Sequence, residues 1–177
     1  EVICGPMFSG KSEELLRRLK RARIAKKKYQ LFKPSVDNRY SETEVVAHSG
    51  ERLKCQVLHK NKSYEVNIAL EENTEIVAFD EAQFFDFALW EIATSLANMG
   101  KRVIIAGLDM DSRGKPFGPM PALMSSAEEV LKLTAVCEAC GEPATHTYRF
   151  TEENTKQVLV GSGDHYQARC RDHWCAR

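Results

Sequence analysis

Short, continuous apolar runs alternate along the chain with segments in which apolar residues recur at helical spacing. The apolar runs are typical of strands buried in a parallel sheet, and they predict strands at residues 2–4, 29–33, 75–80, 102–107 and 130–136. Helical spacing predicts helices at residues 12–28 and 87–99. A shorter strand is expected near residues 53–58, followed by a helix-like stretch up to residue 70. This alternation predicts a parallel, three-layered α/β sheet with right-handed crossovers.

Composition is that of an ordinary globular protein. Of the 177 residues, 43% are apolar and 28% are charged. No apolar run approaches the ~20 residues that cross a bilayer, and we expect no signal peptide. Lys plus Arg equals Asp plus Glu at 25 each, so the whole molecule has no electrostatic attraction to nucleic acid. We therefore expect a cytoplasmic protein with no membrane partner.

The first predicted helix carries a dense basic face. Its members are Arg17, Arg18, Lys20, Arg21, Arg23, Lys26, Lys27 and Lys28. At zero net charge, a solvated helix face or a subunit contact is a more ordinary interpretation than a nucleic-acid site. We therefore expect no stable nucleic-acid partner.

A phosphate-binding loop is predicted between the first strand and the first helix. Its sequence, Gly5-Pro6-Met7-Phe8-Ser9-Gly10-Lys11-Ser12, has the pattern G-x-x-x-x-G-K-S. Glycines let successive backbone N–H groups point at one anion, with the N-terminus of the next helix behind them. Lys11 is expected to reach the β- and γ-phosphates of ATP, and the Ser12 hydroxyl to bind Mg²⁺. The alternative is a chance match in a glycine-containing turn, against which the order strand, loop, helix argues.

Two acids follow the strand predicted at residues 75–80. In P-loop proteins an acid at the end of a central strand holds Mg²⁺, which suits Asp80. Glu81 lies one position further, where a carboxylate can accept a proton from the group that attacks the γ-phosphate. That group is water in an ATPase and a hydroxyl in a kinase, and sequence position does not separate the two. A surface pair that caps the next helix is the structural alternative.

Paired cysteines in the last part of the chain predict a metal site. Cys137 and Cys140 form C-x-x-C, and Cys170 and His173 form C-x-x-H. Two such pairs close a tetrahedral Zn²⁺ site, which is structural because four protein ligands leave no open position. Cys175 competes with His173 for the fourth position, and free thiols without a metal are the alternative.

The change in composition at these cysteines divides the chain into two predicted domains. Residues 1–136 form a P-loop α/β domain, and residues 137–177 form a small zinc domain that needs its metal to fold. Residues 37–50 are expected to form a long polar loop, and loops of this length usually have a function. Residues 108–118 follow a predicted strand at the carboxyl edge of the sheet, where open α/β sheets bind ligands, so they are expected to form an active-site loop. Four histidines have no recognisable partner and are expected at the surface: His48, His59, His146 and His165.

Several blocks, taken in order along the chain, carry a family resemblance. Besides the P-loop they are Asp37-Asn38-Arg39-Tyr40, Asp80-Glu81-Ala82-Gln83-Phe84-Phe85, Gly107-Leu108-Asp109, Lys115-Pro116-Phe117-Gly118, Lys132-Leu133-Thr134-Ala135-Val136-Cys137 and Asp164-His165-Tyr166 with Cys170-Arg171. Together they resemble the type II thymidine kinases, the zinc-containing family that includes the human cytosolic enzyme. The resemblance covers essentially the whole chain. It implies a RecA-like P-loop fold with a zinc-ribbon-like domain, and transfer of the γ-phosphoryl group of ATP to the 5′-hydroxyl of thymidine.

The resemblance also implies roles for individual residues. Glu81 is expected to be the general base, Arg39 to neutralise charge near the transferring group, and Asp37 to hold the sugar. The implied nucleoside pocket contains Met7, Gln83, Phe84, Leu108, Ser112, Phe117, Thr147 and Tyr166. A zinc-anchored lasso near residues 157–166 is expected to recognise thymine, with Gln157, Val160 and Gly161 among its contacts.

One position departs from the family pattern. Ser112 stands where family members commonly have an aromatic residue, so nucleoside affinity or selectivity is expected to differ. By analogy with the family we expect a homotetramer. Two other functions stay open at this point: a P-loop ATPase that acts on nucleic acid, and a zinc-ribbon binding module that uses nucleotide as a structural ligand.

Overall fold

The computed structural model describes residues 1–35, 44–46, 50, 52–150 and 165–175. Within these residues the central sheet has six strands, which are β1 (Val2–Cys4), β2 (Tyr29–Pro34), β5 (Gln56–Leu58), β6 (Ile76–Phe79), β7 (Arg102–Gly107) and β8 (Val130–Lys132). Their order across the sheet is β5-β2-β6-β7-β1-β8, and every pairing is parallel. Two further strands, β3 (Glu44–Val46) and β4 (Arg52–Lys54), pair antiparallel outside this sheet.

Helices cover both faces of the central sheet. They are α1 (Lys11–Ile24), α2 (Val66–Ala69), α3 (Ala88–Asn98) and α4 (Met120–Ser126), with short 3₁₀ segments at Ser63–Glu65 and Ala82–Phe84. Alternate residues of a strand point to opposite faces, so Ala78 packs against α1 while Val77 and Phe79 pack with α3 and α4. This arrangement confirms the predicted P-loop type of α/β fold. Among the described helices, none has the length and apolar character needed to span a bilayer.

A second, smaller unit follows the sheet. It contains β9 (Ala135–Val136), β10 (Pro143–Ala144), β11 (His146–Arg149), β12 (Tyr166–Arg169) and α5 (Arg171–Cys175). β9 pairs with β10 and β11 with β12, both antiparallel. Its buried apolar cluster consists of small side chains, namely Ala135, Cys137, Ala144 and Ala168.

Three predicted elements have different bounds in the structure. The first helix ends at Ile24 rather than at residue 28, because Lys26 adopts φ +57° and the N–H of Lys27 closes the helix on the carbonyl of Ala22 at 3.0 Å. The strand predicted at residues 53–58 is broken at Cys55 into β4 and β5. The strand predicted at residues 130–136 is also two strands, since β8 pairs with β1 whereas β9 pairs with β10. The sequence pattern predicts no helix at the position of α4.

The sequence predicts Arg18 on the exposed basic face of the first helix, and this prediction is wrong. The residue is 8% exposed. Its guanidinium lies 2.5 Å from Glu1 Oε2, 2.8 Å from Glu14 Oε1 and 2.7 Å from Glu129 Oε1. One arginine therefore joins α1 to the segments that begin β1 and β8.

Replacing Arg18 with Met is expected to lower the free energy of unfolding by about 3 kcal/mol, because the carboxylates of Glu1 and Glu14 lose a buried partner. Arg17 is the matched control: it pairs with the same Glu14 at 2.5 Å, but its side chain is 59% exposed. Arg17→Met is expected to cost under about 1 kcal/mol. Urea denaturation of both variants makes the comparison, and equal losses would contradict the structural role of Arg18.

Candidate active site

The P-loop connects β1 to α1 as predicted. Gly5 has φ +143°, and a Cβ atom at that position would lie 2.5 Å from the carbonyl oxygen of Leu133. Glycine is therefore required where the loop begins. Gly10 has φ +81° and caps α1, so the N-terminal N–H groups of that helix open toward the loop.

Lys11 lies over this loop. Its ammonium donates to the carbonyl oxygen of Pro6 at 2.6 Å. Burial lowers the pKa of Lys11, while the negative charges of Glu81 and Asp80 act to raise it. A desolvated ammonium at the N-terminus of a helix is well suited to bind phosphate oxygens.

Ser12 and Asp80 place two kinds of oxygen side by side. β6 ends two strands away from β1 in the sheet, and Ser12 Oγ lies 3.3 Å and 3.2 Å from the two carboxylate oxygens of Asp80. Burial, together with the charge of Glu81, raises the pKa of Asp80 to about 7. Hydroxyl and carboxylate oxygens are the ligands that Mg²⁺ prefers, so this pair fits the predicted ion. Asp80 is buried, which excludes the alternative of a surface pair.

Glu81 follows in a left-handed backbone conformation, with φ +52° and ψ +39°. This conformation is uncommon for a glutamate, and such outliers concentrate at functional sites. The side-chain amide of Gln83 donates to Glu81 Oε2 at 2.5 Å and accepts the N–H of Leu108 at 2.9 Å. Gln83 is 2% exposed. A buried side chain thus fixes the Glu81 carboxylate and ties it to the loop that follows β7.

The structure brings the predicted pocket residues together in two groups. Phe84 and Phe117 pack edge to face, with ring centroids 5.5 Å apart, next to the segment that begins with Leu108. On the P-loop side, the N–H of Met7 donates to Thr147 Oγ1 at 3.0 Å. Tyr166 is buried at the start of β12, opposite β11. The roles of these residues toward a nucleoside stay predictions.

Five predicted site residues lie outside the described residues. They are Asp37, Arg39, Gln157, Val160 and Gly161. Their roles likewise stay predictions.

Asp109 is a buried acid at this edge of the sheet to which sequence reasoning gave no role. It is 6% exposed, and Lys132 Nζ lies 2.7 Å from its Oδ2. After burial, the charge of Asp109 is the second cause that raises the pKa of Cys4 to about 11. Its position just beyond a predicted strand was the signal that could have identified it.

The predicted zinc ligands converge in the smaller unit. The ligand atoms of Cys137, Cys140, Cys170 and His173 all lie within 4.8 Å of one another. Cys140 Sγ and Cys170 Sγ are 3.8 Å apart. A tetrahedron with Zn–S bonds of about 2.3 Å has S–S edges of about 3.8 Å, so the donor set fits zinc. Cys175 is not part of this set among the described residues.

The protonation of Cys137 also favours metal binding. Burial raises its pKa, but hydrogen bonds from the backbone of Cys170, Ala139 and Cys140 outweigh this and lower it to about 6. The thiolate, which is the form that binds zinc, therefore predominates near neutral pH.

His146 is buried, so the prediction that it lies at the surface is wrong. The residue is 3% exposed, and its ring stacks on Trp174 with centroids 4.5 Å apart. Its Nδ1 also lies 3.0 Å from Thr145 Oγ1. The stacking on Trp174 depends on the packing of α5 against β11, which the sequence pattern does not reveal.

The raised pKa of Asp80 gives a prediction for stability. The folded protein holds a proton on Asp80 that the unfolded chain releases near its ordinary pKa of 3.8, so ionisation destabilises the fold as pH rises toward about 7. In zinc-loaded protein without Mg²⁺, Asp80→Asn is therefore expected to be more stable than wild type at pH 7.5. That advantage should shrink as pH falls toward 4. Denaturation of both proteins at several pH values measures this difference in the free energy of unfolding. A difference that does not change with pH would refute the raised pKa of Asp80.

Comparison with known proteins agrees with this site. The family model described as thymidine kinase matches residues 1–174. A curated thymidine kinase of Rhodothermus sp. (strain ITI 518) is 50% identical over 171 residues, which cover 97% of this chain and 78% of that protein. These matches give no support to an ATPase that acts on nucleic acid. The chain belongs to the thymidine kinase family.

Proposed function

We propose that the protein transfers the γ-phosphoryl group of ATP to the 5′-hydroxyl of thymidine, giving thymidine monophosphate. The observation that carries this proposal is the Glu81 carboxylate, which Gln83 holds one residue beyond Asp80 in a chain of the thymidine kinase family. A base in this position serves an acceptor hydroxyl next to the γ-phosphate.

At the phosphate end, the P-loop N–H groups and Lys11 hold the β- and γ-phosphates of ATP. Ser12 and Asp80 would hold Mg²⁺. When bound, this ion neutralises charge on the phosphates during transfer. Positioning and charge neutralisation are most of what phosphoryl transfer requires of a protein, and these side chains provide both.

At the acceptor end, Glu81 removes the proton from the 5′-hydroxyl while the hydroxyl oxygen attacks the γ-phosphorus and the bond to ADP breaks. Gln83 donates to Oε2 of this carboxylate, so we assign the proton to Oε1. The hydrogen bond limits rotation of the carboxylate, which keeps the base aimed at the acceptor.

The nucleoside pocket is proposed to lie between the P-loop and the loop after β7. The residues assigned to it are Met7, Gln83, Phe84, Leu108, Ser112, Phe117, Thr147 and Tyr166. From outside the described residues we assign Asp37 to the sugar, Arg39 to the transferring group, and Gln157, Val160 and Gly161 to a lasso over the base. A closed lasso excludes water, which favours transfer to the sugar over hydrolysis.

Zinc is proposed to be structural, held by Cys137, Cys140, Cys170 and His173 in a domain spanning residues 137–177. The P-loop domain would span residues 1–136. A homotetrameric assembly and a cytoplasmic location are proposed by analogy with the family alone.

The proposed reaction is tested by coupled ADP release from zinc-replete protein. Thymidine is expected to stimulate ADP release well above the rate with ATP alone, because its hydroxyl replaces water as the acceptor. Single-stranded DNA is expected to have no effect. Stimulation by DNA and not by thymidine would instead favour a nucleic-acid-dependent ATPase, and nucleotide binding without turnover would favour a binding module.

Replacing Glu81 with Gln tests the base. The variant keeps the shape of the side chain and an oxygen that can accept from Gln83, but it loses basicity. We expect kcat to fall by ~10²–10⁴ while ATP affinity is retained. Glu72, which is exposed and outside the site, provides the control Glu72→Gln. Near-normal kcat in Glu81→Gln would mean that the proton leaves by another route.

A further inference from the structure

Trp174 connects the zinc ligands to the rest of the site. It follows the ligand His173 in α5, and its backbone N–H donates to the carbonyl of the ligand Cys170 at 3.0 Å. A metal ion that joins Cys170 to His173 therefore constrains the backbone that carries Trp174. α5 is only five residues long, so it has little stability of its own.

The indole of Trp174 lies between β11 and the loop after β7. One face stacks on His146, at a centroid distance of 4.5 Å and an interplanar angle of 24°. Nε1 lies 3.4 Å from the carbonyl oxygen of Ser112, to which it donates. The ring edge rests against Gly114, where a Cβ atom would come within 2.7 Å of Cη2. The indole is thus fitted against the tip of that loop.

The tip itself is a preformed unit. The buried Asp111 accepts the N–H groups of Arg113 and Lys115 on Oδ1, at 2.9 Å and 3.0 Å, and its own N–H donates to the carbonyl of Lys115 at 2.9 Å. The two ends of the loop meet the site, because Leu108 donates to Gln83 and Phe117 packs on Phe84. A contact that holds the tip therefore holds both ends of the loop.

We propose that Trp174 is a positioning residue through which zinc binding sets the place of residues 108–118, and with it the affinity for the nucleoside. The inference rests on the proposed function, because that function assigns this loop to the nucleoside pocket. Without the indole, the preformed tip loses the contacts that hold it in place and must be positioned again when the substrate binds, which weakens binding without changing the reacting groups. Lys11, Ser12 and Asp80 are held by contacts with Pro6 and with one another, so nucleotide affinity should not change.

Fluorescence tests whether zinc fixes the position of Trp174, and it needs no measurement of enzyme activity. The sequence has two tryptophans, so a Trp90→Phe variant leaves Trp174 as the one reporter. Removal of zinc with a chelator is expected to shift Trp174 emission to longer wavelength as the ring leaves His146 and Gly114. Adding Zn²⁺ back should restore the emission. If emission is the same with and without zinc, the proposed connection is wrong.

Steady-state kinetics tests the functional half. In zinc-loaded Trp174→Ala, the KM for thymidine is expected to rise roughly tenfold while kcat stays within about twofold. Trp174→Phe keeps a ring against His146 and loses the N–H donor, so its KM should rise roughly threefold. The Kd for ADP should equal that of wild type, and Trp90→Phe is the control.

An unchanged thymidine KM in zinc-loaded Trp174→Ala, or an equal loss of ADP affinity, would overturn the proposal. If Trp174→Ala fails to retain zinc, as judged from its metal content, Trp174→Phe decides by the same criteria. Failure of the proposed function can be told apart from failure of this proposal. In the first case wild-type protein would show no thymidine-dependent ADP release, whereas the fluorescence experiment does not depend on the reaction and tests the role of Trp174 by itself.

Discussion

A buried carboxylate at the carboxyl edge of the sheet is the constraint on which the site depends. Asp80 is 6% exposed and adjoins Glu81. Burial raises the pKa of Asp80, and burial also lowers the pKa of Lys11. Both shifts mean that the charged forms are disfavoured where they stand. A divalent cation next to Asp80 and a phosphate next to Lys11 would relieve the two costs together. The site therefore suits the proposed nucleotide and ion bound together.

Two glycines make room for Gln83, which holds the Glu81 carboxylate. A Cβ atom on Gly107 would lie 2.8 Å from Gln83 Oε1, and one on Gly118 would lie 2.3 Å from the carbonyl oxygen of Gln83. These two close approaches leave a slot into which Gln83 fits without exposure. Because its side-chain amide bonds the Glu81 carboxylate on one side and the N–H of Leu108 on the other, one side chain positions both Glu81 and the loop after β7. Packing at the end of β7 therefore affects the position of the Glu81 carboxylate.

The sequence predicted what depends on local pattern. The strands near residues 2–4, 75–80 and 102–107 are apolar throughout because both faces are buried, and the P-loop and the cysteine spacing each carry their own chemistry. What depends on distant partners was missed. Arg18 is buried only because Glu1, Glu14 and Glu129 meet it, and the chain between β8 and β9 changes sheets without any change in apolar character. The end of α1 was also missed. The lysines that follow the helix give no sequence signal for the left-handed backbone conformation of Lys26, which ends it.

The smaller unit affects the site from two sides through one strand. Successive residues of a strand point in opposite directions, so in β11 Thr147 accepts the N–H of Met7 while His146 supports Trp174 on the other side. The apolar cluster behind this strand is made of alanines and a cysteine, which bury little area and so stabilise it weakly. A metal that ties Cys137 and Cys140 to Cys170 and His173 would supply the missing stability. Under the proposed function, such an ion would affect substrate binding without taking part in the chemistry.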